Sequence, residues 1–208
     1  MARYINAVCR LCRREGEKLF LKGPRCLTPK CALARRSYAP GQHGQMRTKI
    51  SNYGLQLREK QKVKRTYGVL ERQFRKYFKL ASHSKGVTGK ILLQFLERRL
   101  DNVIFRLGVG VSRAQSRQVV RHNFVFVNSH RVNIPSYLIS TGDIIQIKAK
   151  EKAEKKLRDN LELSKERSVP SWLEFDAAGL KAKVVRLPEK EDIQQPIEEQ
   201  LIVELYSK

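Results

Sequence analysis

The chain is 208 residues long, 41% hydrophobic and 30% charged, with 43 Lys and Arg against 20 Asp and Glu, a formal net charge of +23. That length and apolar content support real cores in one or two domains, which excludes a merely disordered basic tail, and no run approaches the roughly 18 apolar residues of a membrane-spanning helix. A polycation of this size repels itself unless a partner supplies negative charge, and nucleic acid is the commonest such partner.

The charge is unevenly placed. Residues 1–100 hold 25 basic and 5 acidic side chains, residues 101–148 hold 6 and 2, and residues 149–208 hold 12 and 13. A basic surface is therefore expected from residue 1 to about residue 148. No apolar signal-peptide core and no lipidation motif is found, so the expected setting is cytoplasmic, without a membrane partner.

In chain order, the first constellation is Cys9-x2-Cys12 followed, after thirteen residues, by Cys26-x4-Cys31. Two close pairs of thiolates can complete a tetrahedral metal site, because each pair makes a tight turn and the intervening loop brings the pairs together. One zinc ion on the four cysteines is the expectation, and an iron-sulfur cluster is the rival that uses the same ligands. Disulfides are disfavoured without an export signal. Reduced core cysteines are disfavoured by Arg10, Arg13, Arg14, Arg25 and Lys30, which leave little apolar surroundings.

Residues 36–51, with Pro40, Gly41 and Gly44, read as a connecting loop. Residues 54–81 become helical, with Phe74, Tyr77, Phe78 and Ala81 at i, i+3, i+4 and i+7 as a buried stripe. Arg58, Lys60, Lys62, Lys64, Arg65, Arg72, Arg75, Lys76 and Lys79 crowd the other faces, a density suited to phosphate contacts. Tyr53, Tyr67 and Tyr77 could stack on bases, but their helical spacing favours core positions.

Residues 98–148 read as a compact module. Leu92, Leu96, Leu100, Val103, Ile104 and Leu107 recur at helical spacing until Gly108 and Gly110 end the helix. Ser112 with Gln115 then forms a capping box. Arg113, Arg117 and Arg121 follow at intervals of four, which places three guanidinium groups in a sector about 80° wide. Residues 124–127 and 131–134 read as a hairpin turning at Asn128, Ser129 and His130, and residues 144–148 supply a third strand. The order is α-α-β-β-β. An arginine row is ordinarily a solvated helix face; as the continuation of so basic a surface it reads as an RNA contact.

Catalysis has no visible home. His43, His83, His122 and His130 form no triad or metal pair and read as surface or RNA-facing groups. No P-loop, dinucleotide-type glycine pattern or paired carboxylates are present, and no small-molecule substrate is expected.

The cysteine-bearing N-terminus, RRSYAPGQHG at 35–44, YGLQLREKQKVKRTYGVLERQFRKYF at 53–78, the α-β module, VPSWLEFD at 169–176 and the closing IVELYSK together resemble the bacterial small-subunit ribosomal protein S-four (universal uS-four) family. The module alone is less specific, since a similar unit occurs in some pseudouridine synthases, a heat-shock protein and the tail of tyrosyl-tRNA synthetases. The resemblance implies an α+β fold with a cysteine knuckle at 1–45, a mainly helical rRNA-binding domain at 46–97 plus 171–208, and an inserted α-α-β-β-β RNA-binding domain at 98–170. The acidic stretch at 189–204 is expected to meet that basic domain or a protein neighbour. The implied role is non-enzymatic: binding the 5′ domain of 16S rRNA, nucleating small-subunit assembly, touching small-subunit proteins three and five near the channel where mRNA enters, and contributing to translational accuracy. Some members also repress their own message, and many lack the four cysteines, which makes the metal a subfamily feature. Expected RNA contacts are Arg98, Arg99, Arg113, Arg117, Arg121, Lys62, Arg65, Arg72, Lys76, Arg35, Arg36 and His43; the expected metal ligands are Cys9, Cys12, Cys26 and Cys31. The second reading is a free accessory RNA-binding or RNA-modification factor that shares the module.

Overall fold

The computed structural model describes residues 3–46, 49–164, 167–193 and 195–207. In chain order they form α1 (Cys9–Glu15), α2 (Ala32–Arg35), α3 (Asn52–Thr66), α4 (Glu71–His83), α5 (Thr88–Glu97), α6 (Leu100–Arg106) and α7 (Arg113–Arg121). Strands β1 (Val125–Val127), β2 (His130–Arg131) and β3 (Ile144–Ile147) follow, then α8 (Glu151–Leu163), β4 (Leu173–Asp176), β5 (Lys181–Val184) and α9 (Glu199–Tyr206). Two compact units result, residues 1–92 with 195–208, and residues 93–194. The α+β class matches the sequence expectation.

The first unit is helical. Ser51 caps α3 by accepting the Gly54 N–H at 3.1 Å. The α4 stripe buries Phe74, Tyr77 and Ala81, as its spacing predicts, while Phe78 stacks on Tyr206 of α9 at 4.5 Å between centroids. Tyr67 is likewise buried, and only Tyr53 of the three tyrosines considered for stacking is exposed. Glu71 accepts from Lys60 Nζ at 3.0 Å, Lys64 Nζ at 2.9 Å and Tyr206 OH at 2.8 Å. Burial alone would raise its carboxyl, but those three donors outweigh it and hold the pKa at about 2. Much of the basic character of α3 is thus answered inside the unit.

The second unit is built on a five-stranded antiparallel sheet of order β2-β1-β3-β5-β4. Its core joins Leu100, Val103, Ile104 and Leu107 of the α6 region to Val119 and Val120 of α7 and to the inward residues of the strands, with Trp172 fully enclosed. Asn128 and Ser129 both adopt positive φ, 48° and 69°, so the β1–β2 hairpin turns as its Asn-Ser sequence permits. β2 is shorter than the expected 131–134.

Three features depart from expectation. The helix expected to run unbroken to Leu107 stops at Glu97, and Arg99 becomes extended and bridges Leu138. The break is held from outside: Leu100 N–H donates to Tyr137 O at 2.9 Å, Asp101 N–H to Pro135 O at 3.1 Å, and Ile139 N–H to Arg98 O at 3.1 Å. α8 was not foreseen; its Leu157 enters the core and Asn160 Nδ2 donates to Val109 O at 3.1 Å. The expected domain boundary after residue 170 is also corrected. β5 pairs with β3, opposing Ala182 to Ile145, so the return to the helical unit begins at residue 195 instead. Ala182 and Val184 give β5 an apolar face that only this sheet's core can bury.

Candidate nucleic-acid interface

The cysteine region forms around α1, whose C-cap Gly16 takes a left-handed φ of 74°. Cys12, Cys26 and Cys31 are buried and Cys9 half-buried, all four as free thiols. Burial pushes the Cys12 and Cys26 thiols up, and proximity to the other sulfurs adds to it, while backbone hydrogen bonds at Leu19 and Lys22 oppose it. Thiols are the right donor type for a thiophilic metal, and three of the four are buried. Among the described residues, no group of three or more His, Cys, Asp or Glu is gathered closely enough to form a coordination shell.

Glu15 and Glu17 are the only acidic residues in the first 58. Both are turned onto α3: the enclosed Glu15 carboxylate receives Arg58 and Arg65, and Glu17 receives Lys62 Nζ at 3.3 Å. Burial pushes Glu15 upward in pKa, and Arg65 and Arg58 counteract it. Lys62 also pairs with Glu59 at 3.2 Å. Lys62 and Arg65 are consequently not the open phosphate contacts that their position in a basic run suggested.

The open charges of this unit lie on α4. Arg72, Arg75, Lys76, Lys79 and His83 are all exposed at intervals of three and four, opposite the buried Phe74–Tyr77–Ala81 stripe. Arg72 and Lys76, two of the expected RNA contacts, are among these exposed residues. Arg35, Arg36 and His43 are exposed as well. The 35–44 segment is held by Arg13, whose guanidinium lies 5.0 Å from the Tyr38 ring centroid and whose Nε donates to Tyr38 O at 3.0 Å. A Cβ at Gly44 would collide with the Ala39 carbonyl, so the loop's tight path requires glycine there.

In the second unit the expected arginines divide. Arg99 is only 2% exposed, with Nε and Nη2 donating to the two Asp101 carboxylate oxygens at 3.0 and 2.7 Å. A side chain so enclosed cannot reach a phosphate, and its expected role is corrected to a structural one. Arg117 Nη1 shares Asp101 Oδ2 at 3.1 Å. Arg113 Nε donates to Asn102 Oδ1 at 2.9 Å while its guanidinium lies 4.4 Å from the Phe105 centroid. Arg98 is half-buried, donating to Ile139 O at 2.7 Å, and burial lowers its pKa, with Asp143 opposing. Arg121 is exposed. α7 itself begins as predicted, with Ser112 Oγ accepting Gln115 N–H at 3.3 Å, although Gln115 Oε1 reaches back to Val111 N–H at 2.9 Å rather than to Ser112.

Arg113 and Arg117 are therefore held in defined directions from α6, and Arg121 and the α4 stripe supply exposed charge. Pre-aimed and free cations together suit a folded polyanion, whose phosphates fix position while shape selects the partner. Sequence reasoning overlooked Arg167, which covers Phe105 with its guanidinium 4.5 Å from the centroid, and the cations of β5. The Lys-Ala-Lys-Val alternation at 181–184 was the available signal. No helix among the described residues is long and apolar enough to cross a membrane.

Residues 3–97 match the family model for the ribosomal protein S4/S9 N-terminal domain, and residues 98–145 match that for the S4 domain. The chain is 61% identical to the small ribosomal subunit protein uS4 of Acetivibrio thermocellus and 62% identical to that of Ruminiclostridium cellulolyticum, over 208 residues and the full length of each. The uS4 protein of Thermodesulfovibrio yellowstonii is 59% identical, again with both chains covered completely.

Proposed function

Because the chain belongs to the uS4 family of small ribosomal subunit proteins, a structural and non-enzymatic family, we propose that it is a constituent of the cytoplasmic small ribosomal subunit that binds 16S rRNA. The observation that carries this reading is identity of about 60% across the whole of both chains. The binding free energy comes chiefly from release of counterions by cations that replace them on phosphates. Arg72, Lys76 and Lys79 on α4 and Arg121 on α7 are the freest of these cations, and Arg113 and Arg117 the most firmly aimed.

The finer reading follows the family resemblance: early attachment to the 5′ domain of 16S rRNA, nucleation of assembly, and a place beside small-subunit proteins three and five where mRNA enters, with an influence on accuracy. One zinc ion held by Cys9, Cys12, Cys26 and Cys31 completes it. Donor type, the two-pair spacing and the burial of Cys12, Cys26 and Cys31 support that ligand set, and the arginines adjacent in sequence would stabilise a negatively charged tetrathiolate.

Cosedimentation tests the function. The protein is expected in salt-washed small subunits at close to one copy per 16S rRNA. Recovery only in the ribosome-free fraction would reject a subunit constituent and favour an accessory RNA-binding factor.

A further inference from the structure

The sheet of the second unit has one face in the core and one in solvent. Val125, Val127, Ile145, Ile147, Ala182 and Val184 point inward. Alternation therefore turns Phe126, Gln146 and Lys181 outward in one row, with Phe126 opposite Arg131 on β2 and Gln146 on β3, and Gln146 opposite Lys181 on β5. Lys148 and Lys183 extend the same open face. The ring of Phe126 lies 5.1 Å from Lys148 Nζ and 5.5 Å from the Arg131 guanidinium. Arg131, Lys148, Lys181 and Lys183 are exposed, and no ion pair holds them among the described residues. The acidic residues of this face, Glu174 and Asp176 on the edge strand β4, stand opposite Lys183 and Lys181 in register, and Asp176 is engaged by the Ala178 and Gly179 N–H groups at 3.0 and 3.2 Å, whereas Arg131 lies opposite Phe126 on the β1 side of the sheet.

An apolar ring, a side-chain amide and two cations beside the ring, Arg131 and Lys148, on a solvated sheet are an unusual set. The cations alone would suit any polyanion. The ring and the amide add what an unpaired base needs: a π-face to stack on and a donor-acceptor pair for its edge. Lys148 and Arg131 border the ring on flexible side chains, so a base can slide onto Phe126 while their charges move out to the flanking phosphates. We propose that this open face is a second RNA contact, separate from the helix surfaces, which takes a single-stranded segment with one base stacked on Phe126. It rests on the RNA-binding reading for the chemical class of its partner only.

The test uses the full chain with Phe126→Trp. The single native tryptophan, Trp172, is fully buried, so an indole on the open face is the one that acrylamide can quench. Short oligouridylate, which has no structure of its own, is expected to change the emission of the new indole and shield it from acrylamide at low salt. Phe126→Leu, which keeps an apolar residue in the strand, should weaken oligouridylate binding at least about fivefold, the low end of a lost base–aromatic stack. Arg131→Ala with Lys148→Ala should flatten the salt dependence by about 0.7 per lost phosphate contact. Binding without any change at the indole, or equal shielding by polyglutamate, would overturn the proposal. If oligouridylate fails to bind while a folded 16S rRNA fragment binds, this face is refuted and the rRNA reading stands; if neither binds, both fall.

Discussion

Asp101 turns the expected row of arginines into two kinds. The residue is 5% exposed, and its carboxylate takes two hydrogen bonds from Arg99 and one from Arg117. Removing one member of a buried ion pair costs far more than the pair is worth, because the other charge is left without compensation. Asp101→Ala is therefore expected to lower the free energy of unfolding of the second unit by about 3–5 kcal/mol. Arg117→Ala, which leaves Arg99 and Asp101 matched and removes one charge-assisted hydrogen bond, should cost less, about 1.5–3 kcal/mol. Urea unfolding followed by Trp172 emission measures both, and equal losses would contradict the division. The Arg113–Arg117–Arg121 spacing was legible because it is local to one helix. That Asp101 would capture Arg117 was not, since the two lie sixteen positions apart and meet only when α6 and α7 pack. The same holds for Glu15 and Arg65, fifty positions apart.

At the scale of elements, the sequence marked those whose signals are periodic and local: the α4 stripe, the α7 cap, the β1–β2 turn and β3. It could not show the break between α5 and α6, because Leu96, Leu100, Val103 and Leu107 keep helical spacing on both sides of a bridge made by residues 135–139. The boundary at residue 170 erred for a related reason, since assigning β4 and β5 to a sheet requires knowing which core their apolar faces enter. The two cysteine pairs were legible as spacing, and the docking of their segment was not, because that runs through Glu15 and Glu17 to cations on α3. Metal removal addresses this element. A zinc ion on the four cysteines would join them only in the folded chain, so its binding free energy would become folding free energy. Protein purified without oxygen is expected to carry one zinc per chain by elemental analysis, and a strong chelator should remove it and lower the thermal midpoint of the helical unit. Iron with visible charge-transfer bands would replace zinc by a cluster, and neither metal would reject the site.

For the whole molecule the decisive quantity is the net charge of +23. Internal pairs neutralise part of it, at Glu15, Glu71, Glu97 and Asp101, but the α4 stripe and the open sheet face keep cations exposed to solvent. Self-repulsion among exposed charges destabilises the free fold and acts over the Debye length, which shrinks from about 30 Å at 0.01 M salt to about 8 Å at 0.15 M. The buried pairs are screened much less, so salt removes more repulsion than attraction. The same screening reduces the gain from counterion release when RNA binds. Salt should therefore act with opposite signs on the two processes. Raising sodium chloride from 0.01 to 0.15 M is expected to raise the melting temperature of the free protein, by about 2–4 °C for each kcal/mol of repulsion relieved, while affinity for a 16S rRNA fragment falls log-linearly. Chloride is the salt to use, because sulfate strengthens burial by its own exclusion from the surface and would confound the sign. A melting temperature that falls over this range would mean that the surface cations are held mainly by attraction within the chain, leaving few of them available to phosphates.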